Sequence, residues 1–331
     1  MNGMKFSKRD AAKTAGIVIG ASVLAGVTSY LTTRFLVSTA IDRKGPKVLE
    51  KIGDIISGSP QNEEIMKRTR AAAEKLLNTD METVSILSHD GIALVGHWYP
   101  CDDAERIVIA MHGWRSSWCN DFGMVADFLR ENRCSVLFVE QRGQNESGGD
   151  YIGFGVTERF DCLDWVEWVI DSKSDELPIY LCGVSMGATT VLMASGLELP
   201  ENVHGIIADC GFTSPDEIWK HIASDNLHIA YRLRRLIAGN LFDRYNRIAG
   251  FNYSTEEALR ENKTPVLFIH GSDDHFVPVN MTYRNYCACS APKRLLIVPG
   301  ADHGMSYLTD TESYQSAVCD FWRDFDRDRT C

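Results

Sequence analysis

A serine, a pair of aspartates and a histidine stand in three short glycine-containing segments, and each segment follows a run of apolar residues. Ser185 lies in Gly-Val-Ser-Met-Gly, Asp273 and Asp274 lie in His-Gly-Ser-Asp-Asp-His-Phe-Val-Pro, and His303 lies in Pro-Gly-Ala-Asp-His-Gly. An alkyl hydroxyl is a poor nucleophile until a base takes its proton, and an imidazole base needs a carboxylate to fix its tautomer. These residues predict attack on an acyl group by Ser185, with His303 as base. Asp274 is preferred to Asp273 as the acid.

The pattern Gly-x-Ser-x-Gly often occurs by chance, so the neighbouring segments decide whether Ser185 is a nucleophile or an ordinary turn residue. Residues 178–182 have strand character, and residues 188–195 are rich in helix formers. A serine at a tight turn between strand and helix has an exposed hydroxyl. The flanking glycines make the turn possible, because they have no side chain where the two elements nearly touch. The following helix also directs its N-terminal N–H groups at the place where an oxyanion would form.

The segments that must position these residues alternate between apolar strands and amphipathic helices. We predict strands at residues 83–87, 92–98, 106–111, 134–140, 178–182, 204–209, 265–270 and 294–298, and helices at 120–132, 158–171, 188–195, 279–287 and 312–325. This alternation is typical of an α/β protein with a mostly parallel, doubly wound sheet of about eight strands, which binds ligands at the carboxyl ends of its strands.

Residues 213–262 interrupt the alternation with helical patterns that include no clear strand. Because this excursion is longer than ordinary connections, we predict a small helical cap beside the strand ends, called the cap segment below. A solvated helix face explains its basic residues better than a site for an anionic head group. These residues are Lys220, Arg232, Arg234, Arg235, Arg244 and Arg247. The whole globular domain spans residues 81–331.

The chain before this domain divides into a predicted membrane anchor (1–40) and a linker with a connecting helix (41–80). Residues 14–33 carry no charge, and roughly 20 residues are needed to cross a bilayer as a helix. Basic residues ahead of this run favour a single-pass anchor with the globular domain outside the cytoplasm. A cleaved signal peptide is the alternative, with a passable cleavage site at 38–40.

The composition argues against several classes of protein. A formal net charge of −11 without a basic block is unlike a nucleic-acid-binding protein. The ten cysteines are scattered and include no Cys-x-x-Cys pair, so they predict reduced apolar fillers rather than a metal site or a disulfide framework. We therefore expect neither a metal nor an organic cofactor.

From about residue 81 to 325 the chain resembles the serine α/β-hydrolase superfamily, in particular its small bacterial esterase- and lipase-like members. The resemblance is carried by His-Gly-Trp at 112–114, by Gly-Val-Ser-Met-Gly around Ser185, by Asp-His-Phe-Val-Pro from Asp274 and by Gly-Ala-Asp-His ending at His303. It implies an α/β-hydrolase fold. It also implies a catalytic triad of Ser185, Asp274 and His303, and an oxyanion hole made by the backbone N–H groups of Trp114 and Met186.

Other candidates for these roles are weaker. Asp273 stands one residue away from the position that the resemblance indicates, and His270 and His275 are too close to the acid in sequence to face Ser185 across the sheet. His112 belongs to the oxyanion turn, where a loop-orienting role is usual. The remaining histidines are interpreted as surface or satisfied core residues: His89, His97, His204, His221 and His228. Such hydrolases often carry Asp-x-Arg-Gly where this chain has Glu-Gln-Arg-Gly from residue 140, which we interpret as structural variation.

These residues predict an enzyme that cleaves carboxylic esters through an acyl-enzyme, acting on a small-molecule or lipid ester. A lipase or lysophospholipase, a small peptidase and an acyltransferase would use the same residues, so they stay open as alternatives. We expect no large N-terminal domain of the prolyl-oligopeptidase kind, which makes a peptidase less favoured. Outside enzymes, the alternative is a catalytically silent binding protein of the same fold.

Overall fold

An eight-stranded sheet forms the centre of the molecule. The structure is a computed structural model, which describes the backbone of residues 8–45 and 60–326 and the side chains of residues 24–45 and 64–326. The strands are β1 (Glu82–Leu87), β2 (Ala93–Tyr99), β3 (Arg106–Met111), β4 (Cys134–Glu140), β5 (Ile179–Val184), β6 (Val203–Asp209), β7 (Val266–Gly271) and β8 (Lys293–Val298). They lie in the order β1-β2-β4-β3-β5-β6-β7-β8. β2 pairs antiparallel with β1 and β4, and all other pairs are parallel. The predicted mostly parallel sheet is confirmed.

Helices cover both faces of this sheet. They are α1 (Lys8–Ile41), α2 (Pro60–Leu77), α3 (Trp118–Phe122), α4 (Ala126–Glu131), α5 (Glu158–Ser172), α6 (Met186–Ala194), α7 (Pro215–His221), α8 (Arg235–Asn246), α9 (Thr255–Glu261), α10 (Val279–Ala288), α11 (Ser306–Thr309) and α12 (Thr311–Phe325). β3, β4 and β7 are buried at every residue, which a strand achieves only when both its faces are packed. One apolar cluster includes Trp165 of α5, and the cluster on the other face includes Phe321 of α12.

The prediction of a single helix at residues 120–132 is wrong, because the structure has two helices there. α3 ends at Phe122, and α4 begins at Ala126. Between them, Gly123 lies against the backbone of α2, where an added Cβ would stand 2.8 Å from the Ala73 nitrogen. The close approach of α2 accompanies this break, and it is a tertiary contact that the local apolar pattern does not encode.

The cap segment is helical and packs on the carboxyl ends of the strands. It contains α7, α8 and α9, with a π-helical turn at Ile222–Asn226 and a 3₁₀ turn at Tyr231–Leu233. Its aromatic side chains form a third apolar cluster, in which Trp219 meets Phe242 and Phe251 edge-on. This cluster supplies the core that a helical excursion without strands needs.

α1 runs to the end of the predicted anchor and ends at Ile41 on the globular domain. Its last turns pack against α8, and Val37 and Ile41 are buried in the same cluster as the cap aromatics. Within the described ranges, no helix is both long enough and apolar enough to cross a bilayer. The membrane anchor therefore stays a prediction, and residues 46–59 of the predicted linker lie outside the described residues.

We expect Gly123→Ala to lower the free energy of unfolding by about 1–3 kcal/mol, the usual cost of overpacking, because the new methyl group would meet the backbone of α2. Gly26→Ala is the matched control, since Gly26 lies in α1 with nothing within 4 Å of an added Cβ. Urea unfolding followed by circular dichroism measures both variants. Wild-type stability in Gly123→Ala would contradict the packing described here.

Candidate active site

Ser185 occupies the strained turn between β5 and α6. Its backbone has φ 54° and ψ −115°, outside the regions that a residue with a side chain prefers. The flanking glycines explain how the turn closes: a Cβ on Gly183 would lie 2.3 Å from the Gly187 carbonyl carbon, and a Cβ on Gly187 would lie 1.9 Å from the Met111 oxygen. The Ser185 N–H donates to the Asp209 carbonyl at 2.8 Å and anchors the turn on β6.

The structure brings together the serine, histidine and aspartate that the sequence singled out. His303 Nε2 lies 2.9 Å from Ser185 Oγ, and His303 Nδ1 lies 2.7 Å from Asp274 Oδ2. A carboxylate can only accept, so the Nδ1–H of His303 donates to Asp274 and leaves Nε2 free to accept the Ser185 hydroxyl proton. The arrangement therefore has the tautomer and the distances that general-base activation of a hydroxyl requires.

Asp274, rather than its neighbour Asp273, faces the imidazole. Its second oxygen accepts the N–H groups of Phe276 at 2.9 Å and Val277 at 2.7 Å, whereas Asp273 is exposed and bonds Ser272. Burial by itself raises the pKa of Asp274, but hydrogen bonds from His270, His303 and Val277 outweigh it and hold the pKa well below its usual range. Asp274 is therefore a carboxylate at every pH at which a histidine base is neutral.

His270 is a contact of the acid that the sequence analysis missed. It does not contact Ser185, but its Nε2 lies 3.1 Å from Asp274 Oδ2 and 2.9 Å from the Val277 carbonyl oxygen. Both neighbours of Nε2 are acceptors, so Nε2 carries the proton and shares it between the Val277 carbonyl and Asp274, while the Thr282 hydroxyl donates to Nδ1 at 2.6 Å. The signal available in the sequence was its place at the end of the strand that carries the acid.

Asp209 is a second buried carboxyl group behind the serine turn, also missed. Its side chain accepts the Ser306 hydroxyl at 3.2 Å rather than contacting the imidazole of His303. Burial raises the pKa of Asp209 to about 6, against the attraction of His270 and the Ser306 hydrogen bond. Its carbonyl oxygen holds the Ser185 backbone, so Asp209 supports the turn.

The turn at residues 112–115 lies beside the serine, with an added Cβ on Gly113 only 3.4 Å from Ser185 Cβ. The Gly113 N–H donates to Asp121 at 2.6 Å and the Arg115 N–H donates to Gln144 at 2.5 Å. Across the described residues, the Trp114 N–H between them has no acceptor. The N–H of Met186, the first residue of α6, has no partner within its helix. Both predicted oxyanion donors are thus unused.

His112 and the segment after β4 hold this turn from behind. The Gln141 backbone N–H donates to His112 Nε2 at 3.2 Å, and the Gln141 side-chain amide donates to the His112 carbonyl. Burial lowers the pKa of His112, which keeps the ring neutral and able to accept. Arg142 pairs with Asp161 and Asp90 in a largely buried network. The Glu-Gln-Arg-Gly segment is therefore structural.

The other predicted surface or core residues have ordinary partners. His97 bonds Glu140, His89 bonds Asp164, His204 bonds a backbone carbonyl, and His221 bonds Asp225. In the cap segment Arg235 pairs with Asp216, and Lys220 pairs with Glu217. Arg234 differs from the other cap cations, because it lines the cavity described next.

A cavity of about 190 Å³ opens from Ser185 beneath the cap segment and α1. Its lining is almost entirely apolar. It includes Trp114, Phe154, Phe212 and Phe276 around the serine, Leu36, Val37 and Ala40 of α1, and Trp219, Ile222, Leu227, Tyr231 and Ala238 of the cap segment. A cavity of this kind suits an apolar group attached to the atom that Ser185 attacks.

Metal-ligating atoms come together at one point of this site. Atoms of Cys210, Asp274 and His303 lie within 4.8 Å of one another. Burial raises the pKa of the Cys210 thiol well above its usual value, so it does not supply the thiolate that a metal such as Zn²⁺ binds. Asp274 and His303 already bond each other. The group thus fits an imidazole–carboxylate pair better than a metal centre.

The sheet order and the serine at the turn between β5 and α6 define an α/β-hydrolase fold, and the protein is a serine hydrolase of that superfamily. The sequence resemblance to this superfamily is confirmed. More closely, the chain belongs to the prolyl oligopeptidase family, whose profile matches residues 120–325. The matched region contains Ser185, Asp274 and His303.

The chain is also similar to individual proteins from bacteria and from human. The uncharacterized protein YqkD of Bacillus subtilis (strain 168) is 29% identical over 242 residues, which cover 70% of this chain and 75% of YqkD. Human protein ABHD12B is 26% identical over 237 residues, which cover 63% of this chain and 59% of ABHD12B.

Solved structures show the same fold. The Pyrococcus furiosus esterase Pf2001 superimposes with a TM-score of 0.61 at 22% identity, covering 76% of this chain and 94% of the esterase. The Pyrococcus horikoshii acylaminoacyl peptidase gives a TM-score of 0.56 at 16% identity, covering 76% of this chain and 42% of the peptidase. At these identities the likeness concerns the fold alone.

The contact between His270 and Asp274 leads to a prediction about pH dependence. His270→Leu removes a donor from Asp274, so the carboxylate attracts the His303 imidazolium more strongly. We expect kcat/KM at neutral pH to fall about fivefold, the value of one hydrogen bond of ~1 kcal/mol, and the acid limb of the pH profile to move to higher pH.

His270→Gln retains an amide N–H near the position of Nε2 and should recover most of the wild-type profile. His275→Leu is the matched control, because His275 is exposed on the same loop. An unchanged acid limb in His270→Leu would show that His270 only supports the fold.

Proposed function

We propose that the protein is a carboxylic ester hydrolase that works through an acyl-enzyme on Ser185. The observation that carries the proposal is the continuous path from Ser185 Oγ to His303 Nε2 at 2.9 Å and from His303 Nδ1 to Asp274 Oδ2 at 2.7 Å. In a serine hydrolase this path supplies the base and the orienting carboxylate for hydroxyl attack.

In the first half of the reaction, Ser185 Oγ attacks the ester carbonyl while His303 Nε2 takes the hydroxyl proton. Asp274 stabilises the resulting imidazolium, and the N–H groups of Trp114 and Met186 donate to the oxyanion. Collapse of the tetrahedral intermediate breaks the bond to the alcohol, which leaves with the proton from His303. Water then attacks the acyl-enzyme with His303 as base and releases the carboxylic acid.

Peptide hydrolysis is the second candidate, because the chain belongs to the prolyl oligopeptidase family. The apolar lining of the cavity favours esters over peptides. A peptide main chain needs polar partners, and a free N-terminal amine needs a carboxylate, yet none of the described residues that line the cavity is acidic. A lipase, a lysophospholipase or an acyltransferase would use the same attack on a different acyl donor or acceptor.

We expect Ser185→Ala to lose at least about 10³-fold in kcat/KM for p-nitrophenyl butyrate, because the attacking atom is removed. It should also lose labelling by a fluorophosphonate probe while keeping its thermal unfolding temperature. Ser316→Ala is the control, since Ser316 is exposed on α12. Ester hydrolysis or labelling that survives in Ser185→Ala would contradict the proposal. Faster cleavage of aminoacyl p-nitroanilides than of matched esters by the wild type would favour the peptidase.

We also propose that α1 holds the protein at a membrane, with the hydrolase domain outside the cytoplasm. Residues 14–33 are uncharged, and four apolar side chains form one exposed stripe on α1: Leu24, Val27, Leu31 and Phe35, exposed by 68%, 50%, 56% and 59%. Their spacing of three or four residues keeps them on one face of the helix. Signal cleavage after residue 40 would remove carbonyls that hold Trp114 and Arg115, which favours a retained anchor.

Cell fractionation tests this proposal with the full-length chain. We expect the protein in the membrane pellet, resistant to high salt and released by detergent, because apolar contacts are insensitive to ionic screening. Val27→Lys together with Leu31→Lys should move a large share of it to the soluble fraction. Protease added to intact cells or spheroplasts should then digest the hydrolase domain of the wild type. A wild-type chain that stays soluble would contradict the membrane association.

A further inference from the structure

We propose that the last turns of α1 form the specificity-determining wall of an acyl-chain site, in which Val37 and Leu36 set the length of the acyl group that the enzyme accepts. This inference rests on the proposed ester hydrolysis and adds the part of the substrate that the cavity binds. It also assigns a substrate-binding role to a helix outside the region that carries the superfamily resemblance.

α1 has two apolar faces with different surroundings. Thr33, Val37 and Ile41 are buried against the domain, whereas the exposed stripe lies on a different face of the helix. Residues at i, i+4 and i+8 share one face, so the buried set forms a continuous wall. Thr33, Leu36, Val37, Thr39 and Ala40 line the cavity that also contains Ser185.

The end of α1 is fixed to the turn that carries the proposed oxyanion donor. The Trp114 indole N–H donates to the Ala40 carbonyl at 2.8 Å, and the Arg115 guanidinium donates to the carbonyls of Thr39 at 2.9 Å and Asp42 at 2.6 Å. The Ile152 N–H also donates to the Ile41 carbonyl at 2.7 Å. These bonds satisfy carbonyls at a helix C-terminus, which otherwise lack partners. They hold the wall at a constant distance from Ser185.

The cap segment supplies the wall that faces α1. Trp219, Ile222 and Leu227 line the cavity there. Phe276 lines it too, and the centroid of its ring lies 5.0 Å from the centroid of the His303 ring. An apolar chain binds favourably in such a site, because each methylene that it buries is removed from water. The volume of about 190 Å³ is below the roughly 300–1,000 Å³ of sites for drug-sized ligands, which suits one slender chain.

The chemistry of the reaction assigns this chain to the acyl group. The acyl group stays bonded to Ser185 between the two half-reactions, whereas the alcohol must leave before water attacks. The cavity begins at Ser185 and is covered by α1 and the cap segment. It therefore suits the acyl group, which stays bonded to Ser185 between the two half-reactions. The expected substrate class is therefore an ester of an unbranched aliphatic acid.

The test uses full-length protein and p-nitrophenyl esters of two, four, eight and twelve acyl carbons. Val37→Phe places a larger side chain in the wall, so we expect the ratio of kcat/KM for octanoate to that for acetate to fall about tenfold, equal to about 1.4 kcal/mol. Leu36→Ala cannot overpack, and it should shift the preference towards longer chains. Thr32→Phe is the matched control, because Thr32 is exposed on α1 and does not line the cavity.

A second series keeps acetate as the acyl group and varies the alcohol from methanol to octanol. Val37→Phe should leave the relative rates in this series unchanged. If the alcohol series responds instead, the cavity binds the alcohol and the acyl assignment is overturned. If Ser185→Ala abolishes hydrolysis but both wall variants keep the wild-type chain-length profile, the wall has no such role while the proposed function stands. If folded wild-type protein cleaves no ester of either series, the proposed function fails and this inference fails with it.

Discussion

The arrangement of the site depends on the close approach of α6 to the end of β3. Gly187 lies so near the Met111 carbonyl that no side chain fits between them. This contact forces the first turn of α6 over the neighbouring strand and holds Ser185 at a positive φ. The turn at residues 112–115 lies beside the same serine, with an added Cβ on Gly113 only 3.4 Å from Ser185 Cβ. The strained serine follows from this packing constraint in the backbone, whereas the apolar cavity is enclosed by the side chains of α1 and the cap segment.

The residues of the site that could be predicted are the ones that follow the ends of strands. Ser185, Asp274 and His303 each follow a strand of a parallel sheet, and parallel strands bring their carboxyl ends to one edge whatever the distance in sequence. Local apolar runs therefore sufficed to predict the sheet and the meeting of these residues. Asp274 could be preferred to Asp273 only through resemblance, since both stand in one turn, and the structure explains the difference by the N–H groups of Phe276 and Val277.

The parts that could not be predicted depend on which surfaces meet. A glycine inside a helical pattern is tolerated at a cost, and the contact with the backbone of α2 explains why Gly123 stands there. His270 contacts Asp274 because the loop after β7 returns on itself, which spacing alone does not reveal. For α1, hydropathy does not reveal which side chains of an apolar run meet protein. The structure shows that Val37 is buried against the globular domain and that Phe35 is exposed.

The attachment of α1 changes what a shortened protein would represent. A fragment that begins after residue 45 lacks Val37 and Ile41, so the cap aromatics around Trp219 lose apolar neighbours to water. It also leaves the Trp114 indole N–H without the Ala40 carbonyl, beside the backbone donor proposed for the oxyanion. Its activity would reflect an opened cavity and a loosened turn together. α1 therefore belongs to the folded unit that encloses the cavity, and substrate preference has to be measured on the chain that includes it.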